Sequence, residues 1–295
     1  YFPDSKYVSR LSIPGTHDTG STFSTSNTPF LATDWYITQE LGFREQLDAG
    51  VRFFDIRLRP NGINGAGDPT IVHGEHASFS TNFSANVMAD IKSFLTTNPN
   101  EVVLLSVKKD DGDYTQLKNA INAIINSPTY SSLFYTGAAL PTLGQVRGKI
   151  ILLDRMGGLT NGLSISIPDN THRAYARNHD IIVQDYYNLG TDSCLTGNCD
   201  ANKDYKWSIV KGFFNESNAA SSNILYLNFC SGYMTRILQT PSISDLSNYM
   251  NPRVKDYFKD KLNTKCGVVI LDHITQDLAQ LIYMSNFDVF TPNTW

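Results

Sequence analysis

The 295-residue sequence lacks long apolar runs, an excess of positive charge and the signatures of several common enzyme classes. No apolar segment approaches the roughly 18 residues that a membrane-spanning helix needs. Lys and Arg number 24 against 28 Asp and Glu, so the net charge of −4 offers no overall basic surface to a nucleic-acid backbone. The serine-hydrolase elbow G-x-S-x-G, the Walker A loop and the zinc-protease motif H-E-x-x-H are also absent. These absences argue against a membrane-spanning protein, a nucleic-acid-binding protein and those three enzyme classes.

Cysteine is scarce, and its placement predicts one disulfide. Cys194 and Cys199 lie in the polar segment S-C-L-T-G-N-C, near enough to close a small loop, so we expect a bridge between them. Cys230 ends one predicted strand and Cys266 begins the next, so we expect two buried free thiols at opposite ends of a parallel sheet. The sequence begins at Tyr1 with neither Met nor a signal peptide, which we interpret as a mature, processed product or a trimmed form of one. A disulfide requires an oxidising compartment, so the expected location is secreted and extracellular.

The sequence does contain a large apolar fraction, arranged in short segments. Hydrophobic residues make up 41% and charged residues 18%, a composition typical of a soluble globular protein with a large core. Short, β-branched segments that end in polar residues predict strands buried on both faces, as in a parallel sheet. There are eight of them: Leu11–Pro14, Phe53–Leu58, Ile71–His73, Val102–Lys108, Lys149–Asp154, Ile181–Asp185, Ile224–Phe229 and Gly267–Asp272.

Helical patterns lie between several of these strands and define the expected fold. Amphipathic spacing occurs within residues 87–95, 117–125, 254–258 and 278–282. Strands alternating with helices predict an irregular (βα)8 TIM-type barrel of parallel strands, in one α/β domain that spans residues 1–295. No helix is expected between strands two and three, because Arg59–Thr70 is short and rich in Gly, Pro and Asn. The polar stretches 156–179 and 186–222 are interpreted as loops or insertions.

Ionisable side chains cluster at the carboxyl ends of the predicted strands, where the active site of such a barrel lies. Two His on different strands, surrounded by carboxylates and cations, are suited to general acid–base attack at phosphorus. Taken singly, Asp185 and Asp272 are also compatible with N-caps of helices, and Asp55 with Arg57 is also compatible with a structural ion pair. The polar residues at these ends are His17, Asp18, Asp55, Arg57, His73, Lys108, Asp154, Arg155, Asp185, Asn228, Asp272 and His273.

Nine sequence blocks, in order along the chain, resemble the bacterial phosphatidylinositol-specific phospholipases C. The first and most specific is S-I-P-G-T-H-D-T-G at 12–20. The resemblance extends from about residue 4 to residue 285. The other eight blocks are W-x-x-T-Q-E at 35–40, F-D-I-R at 54–57, H-G at 73–74, S-V-K-K at 106–109, K-I-I-L-L-x-R at 149–155, V-Q-D-x-Y at 183–187, L-Y-L-N-F at 225–229 and V-I-x-D at 269–272.

The resemblance implies a phosphatidylinositol diacylglycerol-lyase that needs no cofactor or metal ion. It implies that His17 is the general base for the inositol 2-hydroxyl and that Asp272 orients it. His73 would be the general acid at the diacylglycerol oxygen, assisted by Asp18, and Arg57 would contact the phosphate. The product would be inositol 1,2-cyclic phosphate. The implied inositol-binding residues are Lys108, Arg155, Asp185 and Tyr187, the last stacked on the ring.

The resemblance also implies a membrane partner, and the sequence bears on two alternative functions. We expect a monomer that binds phosphatidylinositol in a membrane surface peripherally and transiently, through an apolar rim with Trp35, Ile237 and Leu238. Glycosyl-phosphatidylinositol anchors remain an open second substrate. A metal-dependent glycerophosphodiester phosphodiesterase would need carboxylates such as E-x-D after strand two, where this sequence has D-I-R at 55–57. A non-catalytic lipid-binding barrel would lack one catalytic His, whereas His17 and His73 are both present.

Overall fold

The computed structural model describes residues 2–27, 33–75, 77–192, 200–236 and 242–288. Within these residues, four short 3-10 helices, Val8–Arg10, Phe23–Thr25, Ile63–Gly65 and Ser131–Leu133, and a π-helical segment, Phe83–Met88, accompany the main elements. The strands are β1 Ser12–Thr16, β2 Phe53–Asn61, β3 Gly67–His73, β4 Ala77–Asn82, β5 Val102–Lys109, β6 Lys149–Asp154, β7 Gly162–Ser164, β8 Thr171–Arg177, β9 Ile181–Asp185, β10 Asn188–Asp192, β11 Leu225–Phe229, β12 Tyr233–Arg236 and β13 Gly267–Leu271. The α-helices are α1 Thr33–Tyr36, α2 Phe43–Asp48, α3 Ala89–Thr97, α4 Tyr114–Ile125, α5 Leu143–Val146, α6 Ala201–Ala219, α7 Ile243–Phe258 and α8 Gln276–Met284.

Eight of the described strands are parallel and form a nearly closed sheet in the order β7-β6-β5-β2-β1-β13-β11-β9. β8 pairs antiparallel with β9 at one edge of this sheet. The amide of Ser166, just after β7, donates to the carbonyl oxygen of Ala176 in β8 at 2.8 Å, which brings the two edges together. The predicted irregular TIM-type barrel in a single domain is therefore confirmed.

Alternating residues of the strands fill two separate apolar layers. Phe53 packs with a cluster that includes Ile151 and Val268, whereas the next residue, Phe54, packs with the helices around the sheet. Because successive strand residues point to opposite faces, the first cluster fills the barrel interior and the second lies between sheet and helices. Asp55 and Arg57 therefore follow Phe53 on the interior face.

The third predicted barrel strand was assigned wrongly. β3, which contains Ile71–His73, pairs antiparallel with β2 (Leu58 opposite Ile71) and then with β4. The eighth parallel strand is β7, within a stretch that we interpreted as a loop. β2 and β3 form a hairpin because the turn between them has Gly62, Asn64 and Gly65 at positive φ, a conformation that Gly and Asn adopt readily. A helix is absent from this connection, as expected, apart from the 3-10 turn Ile63–Gly65.

The interpretation of 186–222 as loop was also wrong, because it contains α6. Apolar periodicity missed this helix since two of its inward positions are lysines, Lys203 and Lys206, which are 4% and 0% exposed. The same stretch contains β10, which pairs with β12. The start of α7 was also predicted wrongly. The apolar pattern placed it after Pro252, whereas the helix begins at Ile243 and continues through Pro252.

The two described cysteines are buried free thiols, as their positions at the strand ends predicted. Cys230 and Cys266 are buried and free. The predicted disulfide between Cys194 and Cys199 lies outside the described residues.

Candidate active site

A cavity of about 630 Å³ opens at the carboxyl ends of the parallel strands. It brings together residues of β2, β3, β5 and β9 and of the segments directly after β1, β6, β9 and β13. Asp18 is fully buried behind His73 and completes the predicted set. Neither Asp185 nor Asp272 caps a helix, because the N-caps of α6 and α8 are Asp200 and Thr275. The sequence-predicted residues that line the cavity are His17, Arg57, His73, Lys108, Arg155, Asp185, Tyr187 and Asp272.

His17 lies between a carboxylate and a guanidinium group. Its Nδ1 is 2.8 Å from Asp272 Oδ1, and its Nε2 is 2.8 Å from Arg57 Nη2. Because guanidinium only donates, Nε2 must be the acceptor and Nδ1 must carry the proton that Asp272 accepts. Burial disfavours the charged ring, but the Asp272 carboxylate outweighs burial and raises the pKa of His17. The hydrogen bond that Nε2 accepts from Arg57 requires a neutral ring, so His17 has the form of a base with Nε2 as its accepting nitrogen.

His73 reaches the same cavity because of the β2–β3 hairpin. β2 continues past the barrel mouth to Asn61, and antiparallel β3 returns His73 to the level of Arg57. The two imidazole rings lie at right angles, with their centroids 6.3 Å apart. The His73 Nδ1 is 2.9 Å from the Tyr36 carbonyl oxygen, which only accepts, so Nδ1 carries a proton. Its Nε2 is therefore the ring nitrogen left for a substrate.

A buried carboxylate also stands behind His73. Asp18 Oδ2 is 3.2 Å from His73 Nδ1, but that proton is directed to Tyr36, and neither carboxylate oxygen of Asp18 accepts a hydrogen bond within the described residues. Burial raises the pKa of Asp18, although His73 and Arg57 oppose the rise. Asp18 adopts a left-handed backbone with φ of 40°, which the short polar side chain tolerates. This turn places the Asp18 carboxylate beside His73.

Arg57 is held by carboxylates on several sides. Its Nε donates to Asp55 Oδ2 at 3.1 Å, and its Nη1 lies 3.6 Å from Asp110 Oδ2. Burial favours the neutral acids, but Arg57 with Arg155 lowers the pKa of Asp55, and Arg57 with Lys108 lowers that of Asp110. The same carboxylates outweigh burial and raise the pKa of Arg57. This guanidinium is therefore a fixed, permanent positive charge beside His17.

The remaining predicted residues form the far wall of the cavity. Lys108 Nζ lies 2.6 Å from Asp110 Oδ1, and Arg155 Nη1 donates to Asp55 Oδ1 at 3.0 Å. Asp185 is the last residue of β9, Tyr187 follows two residues later, and both line the cavity. The remaining residues therefore present two cations, a carboxylate and an aromatic ring to one space.

Sequence reasoning missed three contributors to this site. Asp110 follows Lys108 by two residues at the end of β5, a strand-end carboxylate of the kind we selected elsewhere. Asp169 accepts a hydrogen bond from the Tyr187 hydroxyl at 2.7 Å, and this bond with burial raises the pKa of Tyr187 to about 12. Tyr36 acts through its backbone carbonyl, which no residue pattern reveals. Among the described residues, no group of three or more His, Cys, Asp or Glu is arranged to hold a metal ion.

The described residues include only part of the cavity rim. Trp35, on α1, lines the mouth and is 43% exposed. Tyr233 lines it as well, whereas its neighbour Met234 is buried in the core. The predicted rim residues Ile237 and Leu238 lie outside the described residues. No helix in the described ranges has the length and hydropathy to cross a bilayer.

Comparison with known proteins identifies the relatives of this chain. Residues 11–156 match the family model of the phosphatidylinositol-specific phospholipase C X domain. The 1-phosphatidylinositol phosphodiesterase of Staphylococcus aureus is 37% identical over 164 residues, which are 52% of this chain and 49% of that protein. The chain thus spans about half the length of the curated relatives that it matches.

Solved structures extend the similarity to nearly the whole chain. A mutant of the phosphatidylinositol-specific phospholipase C from Staphylococcus aureus superposes with a TM-score of 0.79 and 28% identity, over 97% of this chain and 95% of that chain. The corresponding protein from Listeria monocytogenes gives a TM-score of 0.72 and 25% identity, over 97% and 96%. This chain is therefore similar to the bacterial phosphatidylinositol-specific phospholipases C over nearly its whole length, and its residues 11–156 match the X-domain family model.

Proposed function

We propose that residues 1–295 form the catalytic domain of a phosphatidylinositol-specific phospholipase C. It would act as a phosphatidylinositol diacylglycerol-lyase that releases diacylglycerol and inositol 1,2-cyclic phosphate. The observation that carries this proposal is the pair of imidazoles, His17 and His73, which face one cavity with a buried carboxylate behind each. No protein nucleophile is needed, because the inositol 2-hydroxyl attacks phosphorus within the same molecule.

His17 supplies the general base in this proposal. The proton of the 2-hydroxyl moves to Nε2 while the hydroxyl oxygen forms a bond to phosphorus. The resulting imidazolium is stabilised by Asp272, whose carboxylate oxygen lies 2.8 Å from Nδ1. The lone pair of Nε2 accepts from Arg57 in the free protein, so the substrate hydroxyl must take the place of that contact.

Arg57 stabilises the charge that develops on the phosphate. Negative charge builds on the non-bridging oxygens in the transition state, and a cation fixed beforehand is the most effective partner. The Asp55 carboxylate holds Nε of Arg57, which leaves the terminal nitrogens to donate toward the cavity. A guanidinium fork gives two parallel hydrogen bonds to phosphate, which a lysine ammonium cannot.

His73 supplies the general acid on the leaving-group side. As the bond from phosphorus to the diacylglycerol oxygen breaks, that oxygen takes the proton from Nε2 of His73. Nδ1 already carries a proton, so the acid form is an imidazolium, which the Asp18 carboxylate stabilises at 3.2 Å. Water opens the cyclic phosphate slowly when the two His exchange roles.

The inositol ring would lie against the far wall of the cavity. Lys108, Arg155 and Asp185 offer donors and acceptors to its hydroxyls, and Tyr187 offers a flat apolar face. A substrate that lacks one of these hydroxyls would leave a buried polar group unpaired, which gives a strong preference for inositol. Phosphatidylinositol and glycosyl-phosphatidylinositol anchors share this headgroup.

We further propose that the protein is a secreted monomer that binds the membrane surface peripherally. The exposed Trp35 at the cavity mouth supports this, because an indole ring is suited to the boundary between water and lipid. Its relative from Staphylococcus aureus has been studied for membrane binding. Ile237 and Leu238 belong to the same proposed rim.

We propose that catalysis needs no metal ion, because a guanidinium group occupies the place next to the phosphate. A divalent cation binds a cluster of oxygen ligands, and Arg57 would repel it. Activity in excess EDTA, before and after calcium is added back, tests this. Loss in EDTA with recovery in calcium would contradict it.

Phosphorus NMR of the products from phosphatidylinositol tests the reaction class. We expect a cyclic phosphate resonance first and inositol 1-phosphate later. Direct release of a linear phosphate monoester, with no cyclic precursor, would refute intramolecular attack. The variant His17→Ala serves as the inactive control.

A further inference from the structure

Lys206 of α6 is a fully buried lysine that does not line the cavity. Its Nζ donates to the carbonyl oxygens of Tyr186 and Phe229, both at 2.6 Å, and to Gln184 Oε1 at 3.0 Å. Three acceptors match the three protons of an ammonium group. No carboxylate oxygen lies within ion-pair distance of Nζ in the part of the chain that the structure describes. The Lys206 ammonium therefore makes hydrogen bonds to uncharged acceptors at the ends of β9 and β11 and, within the described residues, no ion pair.

The three acceptors lie where β9 and β11 end. These strands are parallel neighbours, and their pairing stops at Gln184 opposite Asn228. Beyond that point Gln184 continues the connection, since its Nε2 donates to Asn228 Oδ1 at 2.7 Å and to the Phe229 carbonyl at 2.8 Å. Its Oε1 also accepts from the Tyr186 amide at 2.8 Å. Lys206 and Gln184 thus join the two strand ends across the gap before backbone bonding resumes, where the Tyr233 amide donates to the Tyr187 carbonyl oxygen at 2.8 Å.

The segment that they hold bears two of the proposed substrate contacts. Tyr186 is fixed through both its amide and its carbonyl oxygen, and its neighbours Asp185 and Tyr187 consequently face the cavity on the opposite side of the chain. Phe229, the second strand end, has its ring 6.2 Å from the ring of His17, edge-on. Small movements of either strand end would therefore displace groups that contact the substrate.

We propose that Lys206 is a positioning residue for the inositol wall of the cavity, acting through the carbonyl oxygens of Tyr186 and Phe229. This inference rests on the proposed function. It assigns to α6, which has no side chain in the cavity lining, the task of keeping Asp185 and Tyr187 where the headgroup binds.

The charge state of Lys206 is consistent with this role. Burial lowers its pKa to about 8, and the carboxylates of Asp185 and Asp272 act in the opposite direction, as does the Cys230 thiol. Near neutral pH the side chain is therefore mostly an ammonium with all three donors in use. Burying this ammonium costs desolvation free energy even with three backbone or amide acceptors. A methionine of similar length would avoid that cost.

The variant Lys206→Met tests the proposal because it keeps the length of the side chain and removes its three donors. We expect KM for a water-soluble phosphatidylinositol and the inhibition constant of myo-inositol each to rise tenfold or more, with kcat changed less than threefold. Hydrogen exchange in the peptide 182–190 should accelerate. The effect should appear in KM because the wall binds the ring and does not transfer protons.

Lys203→Met is the matched control. Lys203 is also buried on α6, one turn earlier, but its ammonium pairs with Asp245 at 2.8 Å and Asp200 at 3.2 Å, away from the strand ends. We expect KM and the inhibition constant of this variant to stay within twofold of the wild type, whatever its thermal stability.

Several outcomes would overturn the proposal. One is a Lys206→Met variant whose KM and inhibition constant stay within twofold of the wild type. Another is an equal change in Lys203→Met, which would show a general loss of stability. If Lys206→Met does not fold, Lys206→Gln, which keeps two amide donors, should raise both constants at least threefold, and a change below twofold refutes the proposal. Wild-type protein that cleaves no phosphatidylinositol would instead refute the proposed function, and this inference with it.

Discussion

Replacing Asp272 by Asn tests whether a carboxylate makes His17 an effective base. Asn has nearly the same size and removes only the charge. The carboxylate is 3% exposed and lies 2.8 Å from Nδ1 of His17, so solvent screens the pair weakly. An opposite charge at this range shifts a pKa by about 1–3 units, or about 1.4–4 kcal/mol. If the imidazolium that forms during attack loses this stabilisation, kcat should fall about 10- to 1000-fold.

The pH profile gives a sharper test than the rate. Burial opposes the charged form of His17, yet Asp272 raises its pKa above the ordinary value. A general base acts only when it is neutral, so kcat/KM of the wild type should increase with pH through that raised pKa. Without the carboxylate, burial and Arg57 dominate and the pKa falls. The acid limb of Asp272→Asn should therefore lie about 1–3 pH units lower than that of the wild type.

The assay is the initial rate on a water-soluble phosphatidylinositol across the acid and neutral range. Asp277→Asn is the control, because Asp277 is an exposed carboxylate on α8 that pairs with Lys255, far from the cavity lining. Thermal unfolding of both variants checks that the fold is intact. A variant Asp272→Asn with wild-type rate and an unmoved acid limb would refute the pairing of Asp272 with a catalytic His17.

Three further predictions concern the leaving group, the phosphate and the membrane. His73→Ala should slow phosphatidylinositol cleavage about 10²- to 10⁴-fold but spare a nitrophenyl inositol phosphate, whose leaving group needs no proton; equal loss in both initial-rate assays would show that His73 does not act there. Arg57→Lys should lower kcat about 10²- to 10³-fold although the charge is kept, because an ammonium on a flexible stem lacks the planar fork that contacts Asp55 through one nitrogen and leaves the others for the phosphate. A near-normal kcat with a lower melting temperature would mean that Arg57 only neutralises Asp55. Trp35→Ala should weaken binding to phosphatidylinositol vesicles by about 1–2 kcal/mol in a sedimentation assay and leave soluble-substrate kcat/KM unchanged; a parallel loss on the soluble substrate would place the indole inside the site.

Local patterns in the sequence were sufficient for most of the barrel and for the choice of candidate residues. Short apolar segments of a buried parallel strand differ from helices in length and periodicity, so seven of the eight parallel strands could be located. Most of them end where the side chains become ionisable. Because parallel strands end on one side of a barrel, His17, Arg57 and Asp272 could be assigned to one mouth before their distances were known.

Tertiary structure decided the features that depend on partners distant in sequence. The apolar pattern of Ile71–His73 is the same for a parallel strand and for the returning arm of a hairpin, and only pairing with β2 selects the second. β7 is three residues long, too short for a pattern. α6 buries Lys203 and Lys206, whose charges make an inward face look solvent-exposed in the sequence. Burial of such groups is possible because the acceptors exist only after distant segments have come together, and no local rule contains that information.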